Sequence, residues 1–286
     1  MGFGSSRALT GRTVSGYKIA MMSEKKTSRH PISVAVITKN EEDRLPDCLK
    51  SVAFADEILV VDSGSEDRTR EVAEAFGARV LIEPWRGFSG QKQFAAEKCR
   101  HDRVLILDAD ERIPPETAEV IRKEMECRGP GIAGYSFRRM NYFRGRWIRH
   151  CGWWPDRILR LVDRRKGHFD GRAVHEKWVA DGEVKDLDAV IGHISFRNIS
   201  ELVKKMEDYS NIAARDLLVK KGRATSWTPV SHGLWMFFKT FFLERGLLDG
   251  FDGFVISVMN AGGSFLKYAK FLELRKMKEK GPPTDP

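Results

Sequence analysis

What most constrains this chain is a pattern met three times: a short, β-branched apolar run that stops on an acidic or polar cluster. Ile32-Ser33-Val34-Ala35-Val36-Ile37-Thr38 runs into Lys39-Asn40-Glu41-Glu42, Glu57 to Asp62 runs into Ser63-Gly64-Ser65, and Arg103 to Asp108 runs into Ala109-Asp110-Glu111. Runs this apolar, with no polar alternation, suit strands buried on both faces. Helical spacing fills the gaps over Leu45 to Phe54, Ser65 to Phe76 and Phe88 to Cys99, with Ser65 and Asp67 at the expected start of the second helix. Arg79 to Ile82 reads as a further short strand. Strands and helices alternating at this spacing specify a parallel α/β sheet with right-handed crossovers.

After about Cys127 the alternation lapses. Gly134 to Tyr142, Arg157 to Val162 and Val184 to Ile194 are strand candidates for an antiparallel or mixed extension, and Ile199 to Lys220 has a helical period. The division expected is a disordered basic arm over 1–30, a catalytic α/β domain over 31–198 and a helical region over 199–286 that either associates with a membrane or packs on the core. Within the arm, Met1-Gly2 with Ser6 fits a myristoylation pattern, and its Arg and Ser bias resembles a transit peptide. Cys48, Cys99, Cys127 and Cys151 are widely spaced, which points to a reducing compartment. No apolar run reaches the roughly 18–20 residues of a membrane span.

In an open parallel sheet the ligand lies outside the carboxyl ends of the strands. Here three such ends are acidic. Neither GxGxxG nor GxxxxGK[ST] follows the first strand, which argues against a dinucleotide-dependent dehydrogenase and a P-loop NTPase. Asp108-Ala109-Asp110 places two carboxylates one residue apart at a strand terminus, where both can reach a hard divalent cation completed by phosphate oxygens. The ligand implied is a nucleoside diphosphate. Taken alone, the triplet fits equally a helix cap with solvated acids beside it. The formal charge of +9 favours anionic partners without choosing among them.

Taken together, Ile32 to Glu42, Val60 to Thr69 and Leu105 to Glu111 resemble the successive signatures of family two glycosyltransferases with the GT-A fold, over about residues 31–200. Gly87-Phe88-Ser89-Gly90-Gln91-Lys92-Gln93 and Val174-His175-Glu176 narrow the resemblance to the lipopolysaccharide core glucosyltransferases, with Gln93 where that subgroup usually has Asn. The resemblance implies a Rossmann-like mixed sheet and an inverting, metal-dependent transferase using a nucleotide sugar, with UDP-glucose the first candidate. Thr38 and Asp62 would hold base and ribose, Glu41 the ribose, and Lys92 the diphosphate, unless Lys92 is an exposed helix lysine. Asp108 and Asp110 would hold Mg²⁺ or Mn²⁺, with His193 a further metal ligand or else a structural histidine.

Inversion needs one general base. Asp156, Asp170 and Glu176 are available; Glu176 is preferred, with His175 to orient it, and Asp156 is the second choice, competing with a structural role beside Arg157 or Arg160. Glu176 could instead be a salt-bridged surface acid. Arg157, Arg160 and Arg164 are either phosphate ligands or basic surface.

The tail interleaves Trp227, Trp235, Phe238, Phe242, Phe251 and Phe254 with Lys239, Arg245, Lys267 and Lys270. This mixture suits an anionic membrane surface, at the inner face of the cytoplasmic membrane, and suits equally a helical subdomain packed on the core. Asp249 and Asp252 keep Gly246 to Leu266 from reading as a span. No nucleic-acid module is present in the sequence. Three functional readings follow: transfer to a lipid-linked saccharide, transfer to a polyprenyl phosphate, and a non-catalytic membrane- or anion-binding module.

Overall fold

The computed structural model describes residues 29–126, 131–172 and 176–280. The readings made of the arm up to Ser28, of Cys127 and of Val174-His175 lie outside them. Chain order begins β1 (Ile32–Thr38), α1 (Leu45–Ser51), β2 (Glu57–Asp62), α2 (Thr69–Ala75), β3 (Arg79–Ile82), α3 (Gly87–Lys98), β4 (Arg103–Asp108), β5 (Glu111–Arg112) and α4 (Pro115–Glu126). It continues with β6 (Gly134–Phe143), β7 (Arg146–Trp147), β8 (Arg157–Asp163), β9 (Gly167–Phe169), β10 (Trp178–Ala180) and β11 (Val184–Phe196).

The main sheet runs β3-β2-β1-β4-β8-β6-β11-β5. Its first four strands are parallel, β8 is antiparallel to both β4 and β6, and β11 lies parallel to β6. Every residue of β1 is buried. Its alternate side chains feed two apolar layers: Ile32, Val34 and Val36 pack with Leu45, Leu49 and Ile121 on one face, while Ala35 and Ile37 meet Ala95 and Ala96 of α3 on the other. Burial on both faces explains why these runs show no polar alternation.

Register brings the acidic strand ends together. Thr38 lies opposite Asp62, and Ile37 opposite Asp108. The two-residue strand β5, immediately after Asp110, pairs antiparallel with β11 so that Glu111 faces His193 across the ladder.

One expectation is corrected here. Ser65 to Arg68 do not start the second helix, because this stretch is spent clasping the loop after β1: Asn40 N–H donates to Ser65 Oγ at 2.8 Å, Glu66 N–H to Asn40 Oδ1 at 2.8 Å, and Glu41 N–H to Thr69 Oγ1 at 2.8 Å. Asp62, fully buried, accepts from the Gly64 and Ser65 amides at 3.1 and 2.9 Å, and Gly64 turns through a φ of +83° that favours glycine.

The last third forms α5 (Ile199–Val219), capped by Asn198, then α6 (Thr228–Phe238), a π-helical turn (Lys239–Leu243), a 3₁₀ turn (Gly246–Asp249) and α7 (Gly250–Lys280). Both α5 and α6 pack along α7. A Cβ on Gly253 would stand 1.9 Å from the Gly246 carbonyl oxygen, so the elbow closes only with glycine there. The acids that interrupt the apolar pattern fold inward: Asp249 is 2% exposed and accepts from the His150 amide at 2.8 Å, and Asp252 stands 3.4 Å from Arg144. Leu247, Leu248, Phe251 and Phe254 are left exposed. Farther along α7 Phe265 is exposed, Leu266, Ala269 and Leu272 are half-buried, and Lys270 is tied to Glu207 and Ser210 at 2.7 Å each. No helix among the described residues is long and apolar enough to cross a membrane.

Candidate active site

At the carboxyl end of β4 the chain builds a compact cluster of charges. Lys92, on α3 and 1% exposed, donates from Nζ to Asp108 at 2.9 Å and to Glu176 Oε1 at 2.7 Å. Arg160, on β8, donates from Nη2 to Asp108 Oδ2 at 2.9 Å and to Glu111 Oε1 at 2.8 Å. Glu111 is fully buried and also accepts the Asp108 amide at 3.1 Å. Burial alone would push the Asp108 carboxyl up, but the Lys92 ammonium and the Arg160 guanidinium outweigh it and hold that carboxyl well below the usual range.

Asp110 faces a different partner. Its Oδ2 lies 3.4 Å from His193 Nε2, and its Oδ1 is buried with no hydrogen-bond partner among the described residues. Burial raises the Asp110 carboxyl and His193 lowers it further, for a net depression. The other ring nitrogen of His193 is 2.6 Å from Asn141 Oδ1, and Asn141 Nδ2 donates to the Trp153 carbonyl at 3.0 Å, which turns its amide oxygen toward the histidine. A neutral His193 that donates from Nδ1 to Asn141 therefore presents the Nε2 lone pair to a carboxylate. Two facing acceptors need a proton or a cation between them.

This supplies a test of the expected metal. Asp110 and His193 fit a hard or borderline divalent ion: an unpartnered carboxylate oxygen, an imidazole lone pair, and a carbonyl behind the ring to fix its tautomer. Asp108 does not join them as a free ligand, since its carboxylate is clasped by two cations. Among the described residues no three His, Cys, Asp or Glu side chains converge on one point.

The other side of the crevice is formed by β1 and β2. Thr38 and Ser63 are nearly buried, and their hydroxyls have no partner among the described residues. Glu41 stands 3.6 Å from Arg44; burial pushes its carboxyl up to about 7, and the nearby Asp110 adds to the rise while Arg44 opposes it. Asp62 has its carboxylate engaged by its own turn. Asp156 takes Nε and Nη2 of Arg139 at 2.9 and 2.6 Å; its arginine is thus neither Arg157 nor Arg160. Asp170 accepts from the Lys177 amide at 3.2 Å on the β9–β10 hairpin. A cavity of about 280 Å³ lined by His30, Arg100, His101 and Arg165 lies at the opposite end of the strands, away from these groups.

Residues 33–178 match the family model described as Glycosyl transferase family 2. The chain belongs to glycosyl transferase family 2. An uncharacterized glycosyltransferase of Rickettsia bellii is 33% identical over 88% of this chain and 89% of its own length. The lipopolysaccharide core biosynthesis glycosyltransferase LpsC of Rhizobium meliloti is 31% identical over 87% of this chain and 94% of its own. A crystal structure of Mycobacterium tuberculosis glucosyl-3-phosphoglycerate synthase with Mn²⁺, UDP and glucosyl-3-phosphoglycerate overlaps at 26% identity, 46% of this chain and 51% of that one, with a TM-score of 0.33. The GT-A mixed sheet followed by a helical region is the architecture expected of the family.

Within this family 2 chain, the structure brings Lys92, Asp108, Asp110, Glu176 and His193 together at one strand end, with Thr38 and Glu41 at the end of β1 beside them. It sets Asp156 on the flank, joined to the cluster by Arg139, whose Nη1 is 3.7 Å from Glu111. Three residues escaped the sequence reading. Glu111 looked like one more solvated acid, and Arg139 and Asn141 drew no reading. The sequence carries little signal for them: Asn141 is buried on β6, but so is Ser136, and the burial of that strand does not alternate.

Proposed function

We propose that this family 2 transferase moves a sugar by inverting single displacement from a nucleotide-sugar donor, UDP-glucose first among candidates, to a lipid-linked saccharide such as a lipopolysaccharide core. The observation that supports this most is the arrangement of Glu176, Lys92, Asp108 and the Asp110–His193 pair at a single strand end, in a chain matching a core-biosynthesis glycosyltransferase over nearly its whole length.

The partnerless hydroxyls of Thr38 and Ser63 suit a base or ribose, with Glu41 on the ribose and Asp62 fixing the turn beneath it. Glu176 is the general base. It takes the proton of the acceptor hydroxyl as that oxygen bonds to the sugar carbon and the bond from that carbon to the diphosphate breaks. Lys92 is well placed to hold Glu176 in position. Asp110 and His193 would hold Mg²⁺ or Mn²⁺, which when bound supplies charge neutralisation for the departing diphosphate.

A lipid-linked acceptor places the work at an anionic membrane surface, at the inner face of the cytoplasmic membrane. Exposed Leu247, Leu248 and Phe251, beside exposed Arg245 and half-exposed Lys239, match that surface in both apolarity and charge, with the neighbouring acids turned inward.

The test is product analysis by mass spectrometry with a panel of nucleotide sugars, Mn²⁺ and lipopolysaccharide-core acceptors. Wild type should yield one glycosylated core. Glu176→Gln should keep donor binding and lose at least 100-fold in transfer, since general-base contributions run to about 10²–10⁴. Survival of activity in Glu176→Gln with collapse in Asp156→Asn would transfer the base role to Asp156. A product found only in the polyprenyl-phosphate fraction would overturn the acceptor assignment.

A further inference from the structure

Between the crevice and the elbow lies a segment that the transfer chemistry leaves unexplained. Residues 144–154 leave β6, form β7 and return toward β8, tied to the elbow on one side: Arg146 Nη1 donates to the Asp249 carbonyl at 2.8 Å and the Cys151 amide to the Glu244 carbonyl at 3.0 Å. On the other side they reach the reaction site, through Trp153 to Asn141 to His193 and Asp110. Trp147 and Trp154 meet edge to face in this segment, with centroids 5.2 Å apart.

Each ring carries a guanidinium. Arg149 lies 4.3 Å from the Trp147 centroid and Arg138 lies 5.5 Å from that of Trp154. Arg149 is exposed and makes no ion pair among the described residues. Arg138 is paired with Asp188, but that aspartate is 93% exposed, and a solvated pair of this kind is held by no more than about 1 kcal/mol. The indole N–H of Trp147 is buried without an acceptor, so the ring is not placed to complete the core's own hydrogen bonding. The apolar face of a pyranose stacks on such rings, and planar guanidinium forks match phosphate and carboxylate oxygens.

We infer that Trp147, Trp154, Arg149 and Arg138 form the acceptor subsite, and that it takes a saccharide bearing an anionic substituent, phosphate or carboxylate. The inference rests on the glycosyltransferase reading and adds to it the chemistry of the acceptor. Along the chain Trp154 follows Trp153, which bonds Asn141 behind His193, and the Arg149 amide lies 3.4 Å from Asp249 of the elbow, the order a lipid-borne saccharide requires.

The test is equilibrium binding without donor, by calorimetry, to three probes: deacylated lipopolysaccharide-core oligosaccharide, the same material after phosphatase treatment, and that dephosphorylated material with its sugar-acid carboxylates reduced. Wild type should lose about tenfold in affinity at the step that removes the recognised anion, the size of one charge-assisted hydrogen bond, and the losing step names phosphate or carboxylate. Arg149→Glu should lose at least as much toward the intact probe and show no further loss at that step. Trp154→Phe, which keeps an aromatic ring, should retain most of the affinity, and Trp154→Ala should not. Equal binding of all three probes by wild type, or unchanged affinity in Arg149→Glu, overturns the subsite. Donor binding, followed separately by nucleotide-induced thermal shift, reports on the transferase reading itself, so failure of one is distinguishable from failure of the other.

Discussion

Replacing Lys92 by methionine isolates what the buried ammonium does. The substitution roughly preserves side-chain length, so it opens no large cavity, but it strips Glu176 of its ammonium partner and leaves Asp108 with Arg160 alone. Removing one member of a buried ion pair costs about 3–5 kcal/mol, because the survivor stays desolvated without a counter-charge. Arg160 still serves Asp108, so the lower end applies: about 3 kcal/mol, or a melting temperature lower by roughly 6–12 °C for a chain of this size. The pH dependence makes the test specific. The depressed Asp108 carboxyl contributes stability that is present above its unfolded value near 3.9 and is lost as pH falls toward its folded value. The gap between wild type and Lys92→Met should therefore be full at pH 7.5 and narrower at pH 3, below the unfolded value, where Asp108 takes up protons. Urea unfolding at both pH values measures it, and a Lys92→Met/Glu176→Gln cycle should recover about 1 kcal/mol or more of coupling. A gap under 1 kcal/mol at pH 7.5, or one of the same size at pH 3, refutes the reasoning.

Glu41→Gln should stabilise the protein at high pH only. With its folded value raised to about 7 from 4.5, Glu41 contributes stability that is complete below about pH 4.5 and lost as pH rises through 7; the variant should unfold about 1–3 kcal/mol harder at pH 8 and no differently at pH 4.5, as read by denaturant titration. Leu248→Glu with Phe251→Glu should abolish flotation with anionic vesicles at low salt, since each buried apolar side chain is worth about 1.5–3 kcal/mol and the new charges add repulsion. Undiminished flotation would move the contact elsewhere. Reversing Lys267 and Lys276 should weaken flotation less, because the apolar face is at the elbow.

The parallel half of the sheet was legible because strands buried on both faces write themselves as unbroken apolar runs, and their polar ends marked the crevice. The start of α2 was not, because Ser65 and Asp67 have the chemistry of helix caps and use it across 25 residues of chain to hold the loop after β1. Lys92 was legible as a cation near the carboxyl ends of the strands; its burial between two carboxylates was not, since a helix of such weak amphipathicity gives no sign of which face is covered. Asp249 and Asp252 were legible as acids that break the apolar pattern of the tail, and the direction they face was not. Local pattern shows that a charge is present, and only the fold shows that it has been turned inward, toward His150 and Arg144.

The buried charges around Asp108 also set the terms on which this protein can be improved. Ion clusters like that of Lys92, Arg160, Asp108 and Glu111 are commonly no more stable than well-packed apolar residues of equal volume, and often less so. A redesign guided by stability alone would replace these four side chains first. It would return a sturdier sheet with a sealed strand end, so directed evolution of this chain for heat resistance should be run with transfer activity as a second selection, or it will discard the crevice before it touches the surface.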